Sequence, residues 1–177
     1  MSQRDSGYER KERDLYETPA WATRCVVPHF PRRPDLIWEP ACGNGKMVNA
    51  LLETVRDAII VVGTDIVSGK DFLQTDGVEG FDAIITNPPY ELATEFIDHT
   101  LALLPPHGFA AMLLRTDFDH AKTRARLFAD CDAFAKKIVL TKRIKWFEDS
   151  KGSPSFNHAW FVWDRMHRGA PTLAYGP

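Results

Sequence analysis

The stretch Leu36-Ile37-Trp38-Glu39-Pro40-Ala41-Cys42-Gly43-Asn44-Gly45 decides how the rest of the chain is read. Its first three residues form a short apolar run, as a strand buried on both faces requires. Two glycines two residues apart follow, and they let the backbone turn sharply and approach a ligand closely. Met47, Val48, Leu51, Leu52 and Val55 then recur at helical spacing. Strand, glycine turn and helix together make the first part of a βαβ unit, and such units build parallel sheets.

The alternation continues outward. Residues 58–62 and 81–86 predict two more strands, closed by Gly63-Thr64-Asp65 and by Asn87-Pro88-Pro89-Tyr90. A helix over 92–104 ends at Pro105-Pro106-His107-Gly108, and 109–114 form a fourth strand. Residues 120–128 predict a helix, and 137–140 and 159–163 two final strands. Upstream, 19–30 predict a helix with Thr18 as N-cap and Pro19 at its first position. The interval between Asp65 and Phe81 is short for a helical crossover, so that unit is expected in abbreviated form. The expectation is an α/β fold, mainly parallel, with helices on both faces.

Composition sets the bounds. The chain has 177 residues, 44% of them hydrophobic and 26% charged, enough to bury a core without disulfides or a structural metal. No apolar run approaches the ~18 residues of a membrane span. The start, MSQRDSGYERKERD, lacks the apolar stretch of a secretory signal, so a cytoplasmic setting is expected. Cys25, Cys42 and Cys131 form no CxxC pair and have no His at metal spacing, so no metal is expected. Residues 1–15 are expected to form a flexible segment before one domain over 16–177.

The net charge of −2 conceals a gradient. Residues 1–33 carry +2, residues 34–114 carry −9, and residues 115–177 carry +5. An acidic middle between basic ends suits a polyanionic partner for the basic part. Arg115, Lys122, Arg124, Arg126, Lys136, Lys137, Lys142, Arg143 and Lys145 carry most of it, with Trp146 and Phe147 adjoining.

In parallel sheets ligands bind at the carboxyl ends of the strands, where strand order reverses. Three of the predicted strands end there in chemically loaded turns. The glycine turn lacks the third Gly of a dinucleotide fingerprint, because Val48 stands in its place, and no phosphate loop of the nucleotide hydrolases occurs. Asp65 lies 20 residues past Gly45, where a carboxylate can accept both hydroxyls of a ribose. Asp71 and Phe72 offer an acceptor for an exocyclic amine and a ring to stack on. In Asn87-Pro88-Pro89-Tyr90, the Asn side-chain carbonyl and the Pro88 backbone carbonyl can accept both protons of one planar amino group. Tyr90 can stack on the ring bearing it, and the prolines hold the backbone in place.

The order Tyr16-x-Thr18-Pro19, Glu39 to Gly45, Asp65, Asp71-Phe72-Leu73 and Asn87 to Tyr90 resembles the amino-methyltransferases that use S-adenosylmethionine. Over residues 14–165 it is similar to the small, phage-type DNA adenine methyltransferases. The resemblance implies a Rossmann-like class I methyltransferase fold, with an antiparallel last strand and without a separate target-recognition domain. It implies that Tyr16, Thr18 and Pro19 help hold the methionine part of the cofactor. Glu39, Pro40, Ala41, Gly43 and Gly45 would wrap its backbone, while Asp65 and Ile66 take the ribose, Asp71 the adenine amine and Phe72 an adenine face. Asn87, at the join of the two subsites, belongs to the cofactor set as well as the catalytic one.

The same resemblance makes Asn87, Pro88, Pro89 and Tyr90 the catalytic set. Phe147 is the expected second face of the base sandwich, with Trp146 and Phe156 as rivals. Lys142, Arg143 and Lys145 would contact substrate phosphates. The implied reaction is direct methyl transfer to adenine in DNA, on a base flipped from the helix. It needs no metal and no covalent enzyme intermediate. A protein glutamine methyltransferase, an RNA amino-methyltransferase and a non-catalytic binding module remain alternative expectations. The sequence leaves the oligomeric state open.

Overall fold

The structure, a computed structural model, describes residues 16–55, 59–146 and 156–177. The segment 1–15 lies outside the described residues. Among them, one sheet holds β1 (Leu36–Glu39), β2 (Ile60–Gly63), β3 (Ala83–Thr86), β4 (Phe109–Arg115), β5 (Phe134–Leu140), β6 (His158–Asp164) and β7 (Thr172–Gly176). Their order across the sheet is β2-β1-β3-β4-β6-β5-β7. β1 pairs in parallel with β2 and β3, β3 with β4, and β5 with β7. β6 runs antiparallel between β4 and β5, supplying the expected antiparallel strand. β7 has no counterpart among the expected strands. Its Leu173 and Tyr175 stay exposed, so it carries little of the apolar pattern that betrays a strand.

Three helices cover the sheet: α1 (Ala20–Val26), α2 (Lys46–Thr54) and α3 (Ala93–Leu103). Ala22 and Val26 of α1 and Met47 and Leu51 of α2 pack with Ile37, Ile85 and Leu113 on one face. Phe96 and Ile97 of α3 pack with Trp38, Ile84 and Met112 on the other. β6 shows how the pleat serves both cores: Trp160 and Val162 enter the first, Phe161 and Trp163 the second. Neither buried indole is left unsatisfied, since Trp160 Nε1 donates to the Ala22 carbonyl and Trp163 Nε1 to the Leu127 carbonyl, both at 2.8 Å.

Two local expectations need correction. Pro19, not Thr18, is the cap residue of α1, and no side chain caps that helix end. Residues 120–128 are not an α-helix; 3₁₀ turns at Phe118–His120 and Lys122–Leu127 stand there instead. Only Leu127 of the second turn is buried, so no apolar face exists to hold a longer helix in place.

Between β2 and β3 the described chain makes only the 3₁₀ turns Ile66–Ser68 and Phe72–Gln74, as the short interval requires. β2 is therefore a sheet edge, and Ile60 is 59% exposed. From β1 the chain moves outward to β2 and then crosses back to β3. The reversal of strand order thus falls between β1 and β3, which opens a crevice at their carboxyl ends. No helix among the described residues is long and apolar enough to cross a membrane.

Gly63 ends β2 directly under the glycine turn. A Cβ there would lie 2.9 Å from Val48 Cγ2 and 3.1 Å from the Cys42 Cβ and Sγ, closer than these groups pack. Gly63→Ala should therefore lower unfolding stability by about 1–3 kcal/mol in urea denaturation, the usual cost of overpacking. An unchanged midpoint would contradict the close approach of the turn to β2.

Candidate active site

The crevice is a cleft of about 580 Å³, within the range of small-molecule sites. Tyr16, Thr18, Glu39, Pro40, Ala41, Gly43, Asp65, Ile66, Asp71, Phe72, Asn87 and Pro89 line it, so most of the residues picked out from sequence converge. Pro19 and Gly45 do not line it, and their roles are in the backbone. The Pro19 carbonyl accepts the first amides of α1, from Ala22 at 2.9 Å and Thr23 at 3.3 Å. Gly45 opens α2 at φ 81°, a left-handed conformation that favours glycine.

The glycine turn is held from both sides. The Gly45 N–H donates to the Cys42 carbonyl at 2.8 Å, and the Cys42 N–H donates to the Thr64 carbonyl at 3.0 Å. Glu39 Oε1 accepts from the Ala41 N–H at 3.0 Å. Asp65 joins this turn to the one after β2: Oδ2 accepts from the Gly43 N–H and Oδ1 from the Val67 N–H, each at 2.9 Å. A carboxylate offers about four lone-pair sites, so two remain for a ligand. Asp71 likewise spends one acceptor on the Leu73 N–H, at 3.0 Å. Phe72 lines the cleft and also belongs to the core, 3% exposed against Trp38, Phe96 and His99.

Asn87 sits at the end of β3. Its Nδ2 donates to the Tyr16 carbonyl at 3.0 Å, which fixes the orientation of the amide. The other end, Oδ1, is buried and has no hydrogen-bond partner among the described residues. The buried hydroxyl of Thr18 is in the same position. A buried acceptor left unpaired costs about 1–3 kcal/mol, which a ligand donor would offset.

Beside Asn87 four rings close on one another. Centroids of Tyr16 and Tyr90 lie 5.8 Å apart, Tyr16 and Trp146 5.4 Å, Trp146 and His158 5.2 Å, and Tyr90 and His158 6.2 Å. Pro88 and Tyr90 are not in the cleft lining; Pro88 is buried, and Tyr90 joins these rings. Phe147 lies outside the described residues. Trp146 reaches the site through Tyr16, whereas Phe156 stacks under the Arg115 guanidinium, 4.3 Å from its ring centroid.

The basic segment divides. Arg115 pairs with Asp117, Arg126 with Asp98 and Lys137 with Asp119, and Arg124 lies over the Phe118 ring. Lys142, Arg143 and Lys145 are exposed just past the carboxyl end of β5, on the same side of the sheet as the cleft. Arg143 Nε donates to Asn157 Oδ1 at 2.9 Å, and the Lys142 ammonium lies 4.9 Å from the Trp21 ring centroid.

Sequence reasoning missed Glu17, Lys46, Met47, Val67, Leu92 and Phe96 in the cleft wall. Lys46 follows the second glycine directly and was legible from that position. Leu92 and Phe96 follow the proline turn at helical spacing and read only as core. Among the described residues, no three or more His, Cys, Asp or Glu side chains gather as a metal site would.

No protein-family model matches the chain, nor does any curated protein match its sequence. Solved structures do resemble it. The methyltransferase subunit of the type I restriction-modification system from Streptococcus thermophilus aligns with TM-score 0.67 at 14% identity, covering 90% of this chain and 46% of that one. A dimethyladenosine transferase from Plasmodium falciparum aligns with TM-score 0.56 at 17% identity, over 85% of this chain and 62% of that one. The 1,6-didemethyltoxoflavin-N1-methyltransferase of Burkholderia thailandensis, solved with S-adenosylhomocysteine, gives TM-score 0.54 at 12% identity, over 82% and 77%. The chain spans about half the length of the restriction-modification subunits it matches. The likeness establishes the fold, a Rossmann-like α/β sheet of the class I methyltransferase type.

Glu39 gives the site a pH signature. It is 1% exposed, and burial pushes its carboxyl up to about 8, against which the Ala41 N–H works only in part. The folded state thus holds a proton that the unfolded state releases near the ordinary carboxylate range. The stability this confers is complete below about pH 4 and is lost as pH rises through about 8. Glu39→Gln should flatten that decline, gaining on the parent protein by an amount on the order of a few kcal/mol between pH 5 and 9 in chemical denaturation. Parallel stability curves for the two proteins would contradict it.

Proposed function

We propose that the protein transfers a methyl group from S-adenosylmethionine to the exocyclic amine of adenine in DNA. One observation carries the reading: Asn87 is turned so that its amide NH₂ donates to the Tyr16 carbonyl while Oδ1 stays buried with no partner among the described residues. A planar amine is the donor such an acceptor needs. The two prolines that follow Asn87 keep that acceptor from relaxing away, so it is ready before substrate arrives.

The cleft residues fit the cofactor. The Thr18 hydroxyl is a buried polar group with no partner among the described residues, and Asp65 retains acceptors for a pair of ribose hydroxyls. Asp71 accepts from an adenine amine and Phe72 offers a ring edge within the same wall. Bound there, S-adenosylmethionine supplies a methyl group already activated on a sulfonium. The protein's task is alignment. Asn87 Oδ1 and the Pro88 carbonyl hold the two amine protons, which draws the nitrogen toward tetrahedral geometry and frees its lone pair. Holding both partners in line supplies much of the acceleration. As the N–C bond forms, the S–C bond would break to leave a neutral thioether, and one of the two amine protons would pass to solvent. Glu39, buried and largely neutral, and Asp65 keep the glycine turn in the shape this alignment needs.

DNA as the substrate is supported by the rim beyond β5. Lys142, Arg143 and Lys145 can track phosphates, and the rings of Tyr90 and Trp146 can take a base flipped from the stack.

Asn87→Ala should lower methyl transfer by about 10²-fold or more while cofactor affinity stays within a few-fold, as for loss of one preorganised polar group. Asp65→Ala should weaken cofactor binding roughly 10- to 100-fold in titration calorimetry. Wild-type turnover in the Asn87 variant, or unchanged affinity in the Asp65 variant, would contradict these assignments.

A further inference from the structure

Nothing in the sequence marks His158. It opens β6 and faces Tyr90 across a separation of 68 residues, and its Nε2 shares a 2.9 Å hydrogen bond with the Tyr90 hydroxyl. We propose that His158 is a positioning residue for Tyr90, holding the tyrosine ring in the plane that stacks on the target base. The proposal rests on the methyl-transfer reading above.

The two partners differ in rigidity, and that gives the bond its direction. Tyr90 stands half-buried at the start of a 3₁₀ turn, outside the sheet, with its ring 5.8 Å from that of Tyr16. His158 is 2% exposed in a strand paired on both sides, to β4 and to β5. Arg115 is its direct neighbour across β4, and the Trp146 ring meets it edge-on at 5.2 Å. The sheet therefore fixes the imidazole, and the imidazole fixes the far end of the Tyr90 ring. Burial, helped by the Arg115 charge, holds the imidazole pKa down to about 4, so the ring is neutral under ordinary conditions and carries one donor and one acceptor nitrogen.

A hydroxyl anchored in this way spares substrate binding the cost of ordering the ring. Asn87 is held by Tyr16 in the same manner, so the two groups meant to meet the base are both fixed by partners that do not touch it.

The test is a double-mutant cycle with Tyr90→Phe and His158→Leu, and His158→Gln as the conservative variant whose amide can still meet the hydroxyl. Each single variant should lose roughly three- to tenfold in kcat/KM for methylation of DNA, with cofactor affinity unchanged, as expected for freeing one side chain. The double variant should lose no more than either single one, and glutamine should recover most of the loss. Tyr90→Phe guards against a buried histidine variant that fails to fold, since it removes the same bond from the half-buried side. Additive losses, or wild-type kcat/KM in Tyr90→Phe, would overturn the proposal while leaving the methyl-transfer reading intact. A parent protein that methylates no adenine would overturn that reading, and this proposal with it.

Discussion

Burial of the sheet on both faces is the constraint from which the rest follows. β3, β4 and β6 carry almost wholly buried side chains, and helices or aromatic side chains close both surfaces. No polar chemistry can be housed along such strands without orphaned groups. It is pushed to their carboxyl ends, and the reversal of strand order between β1 and β3 gathers those ends around one cleft.

Within the cleft, fixing is done by backbone rather than by long side chains. Asp65 binds two main-chain amides and so locks the turn after β1 to the turn after β2. The Tyr16 carbonyl fixes the Asn87 amide, tying the start of the described chain to the end of β3. Groups held this way lose little freedom when a ligand arrives, which suits a reaction whose demand is alignment. The acceptors left over at Asn87 and Asp65, and the Thr18 hydroxyl, are what the architecture keeps in reserve.

β3, β4 and β6 were legible in the sequence because both of their faces are buried, so each reads as a nearly unbroken apolar run, and the three longer helices showed their apolar spacing. The turn chemistry was legible for a related reason: Gly43, Asp65 and Asn87 stand where apolar runs stop. Failures came where that signal is absent. Residues 120–128 have helical spacing but bury only Leu127 of their longer turn, and β7 leaves its larger side chains in solvent. His158 meets Tyr90 across 68 residues of sequence, which no local pattern records. The basic segment misled in part: Arg115, Arg126 and Lys137 are paired with nearby carboxylates, and only the fold shows that Lys142, Arg143 and Lys145 remain on the cleft side.

The central claim is that one buried, preoriented amide oxygen receives the amine of adenine. Incubation of the protein with methyl-labelled S-adenosylmethionine and mixed-sequence DNA, followed by digestion to nucleosides, tests it most directly. The account predicts label in N6-methyladenine. Label confined to methylcytosine, or no transfer to the DNA at all, would contradict it.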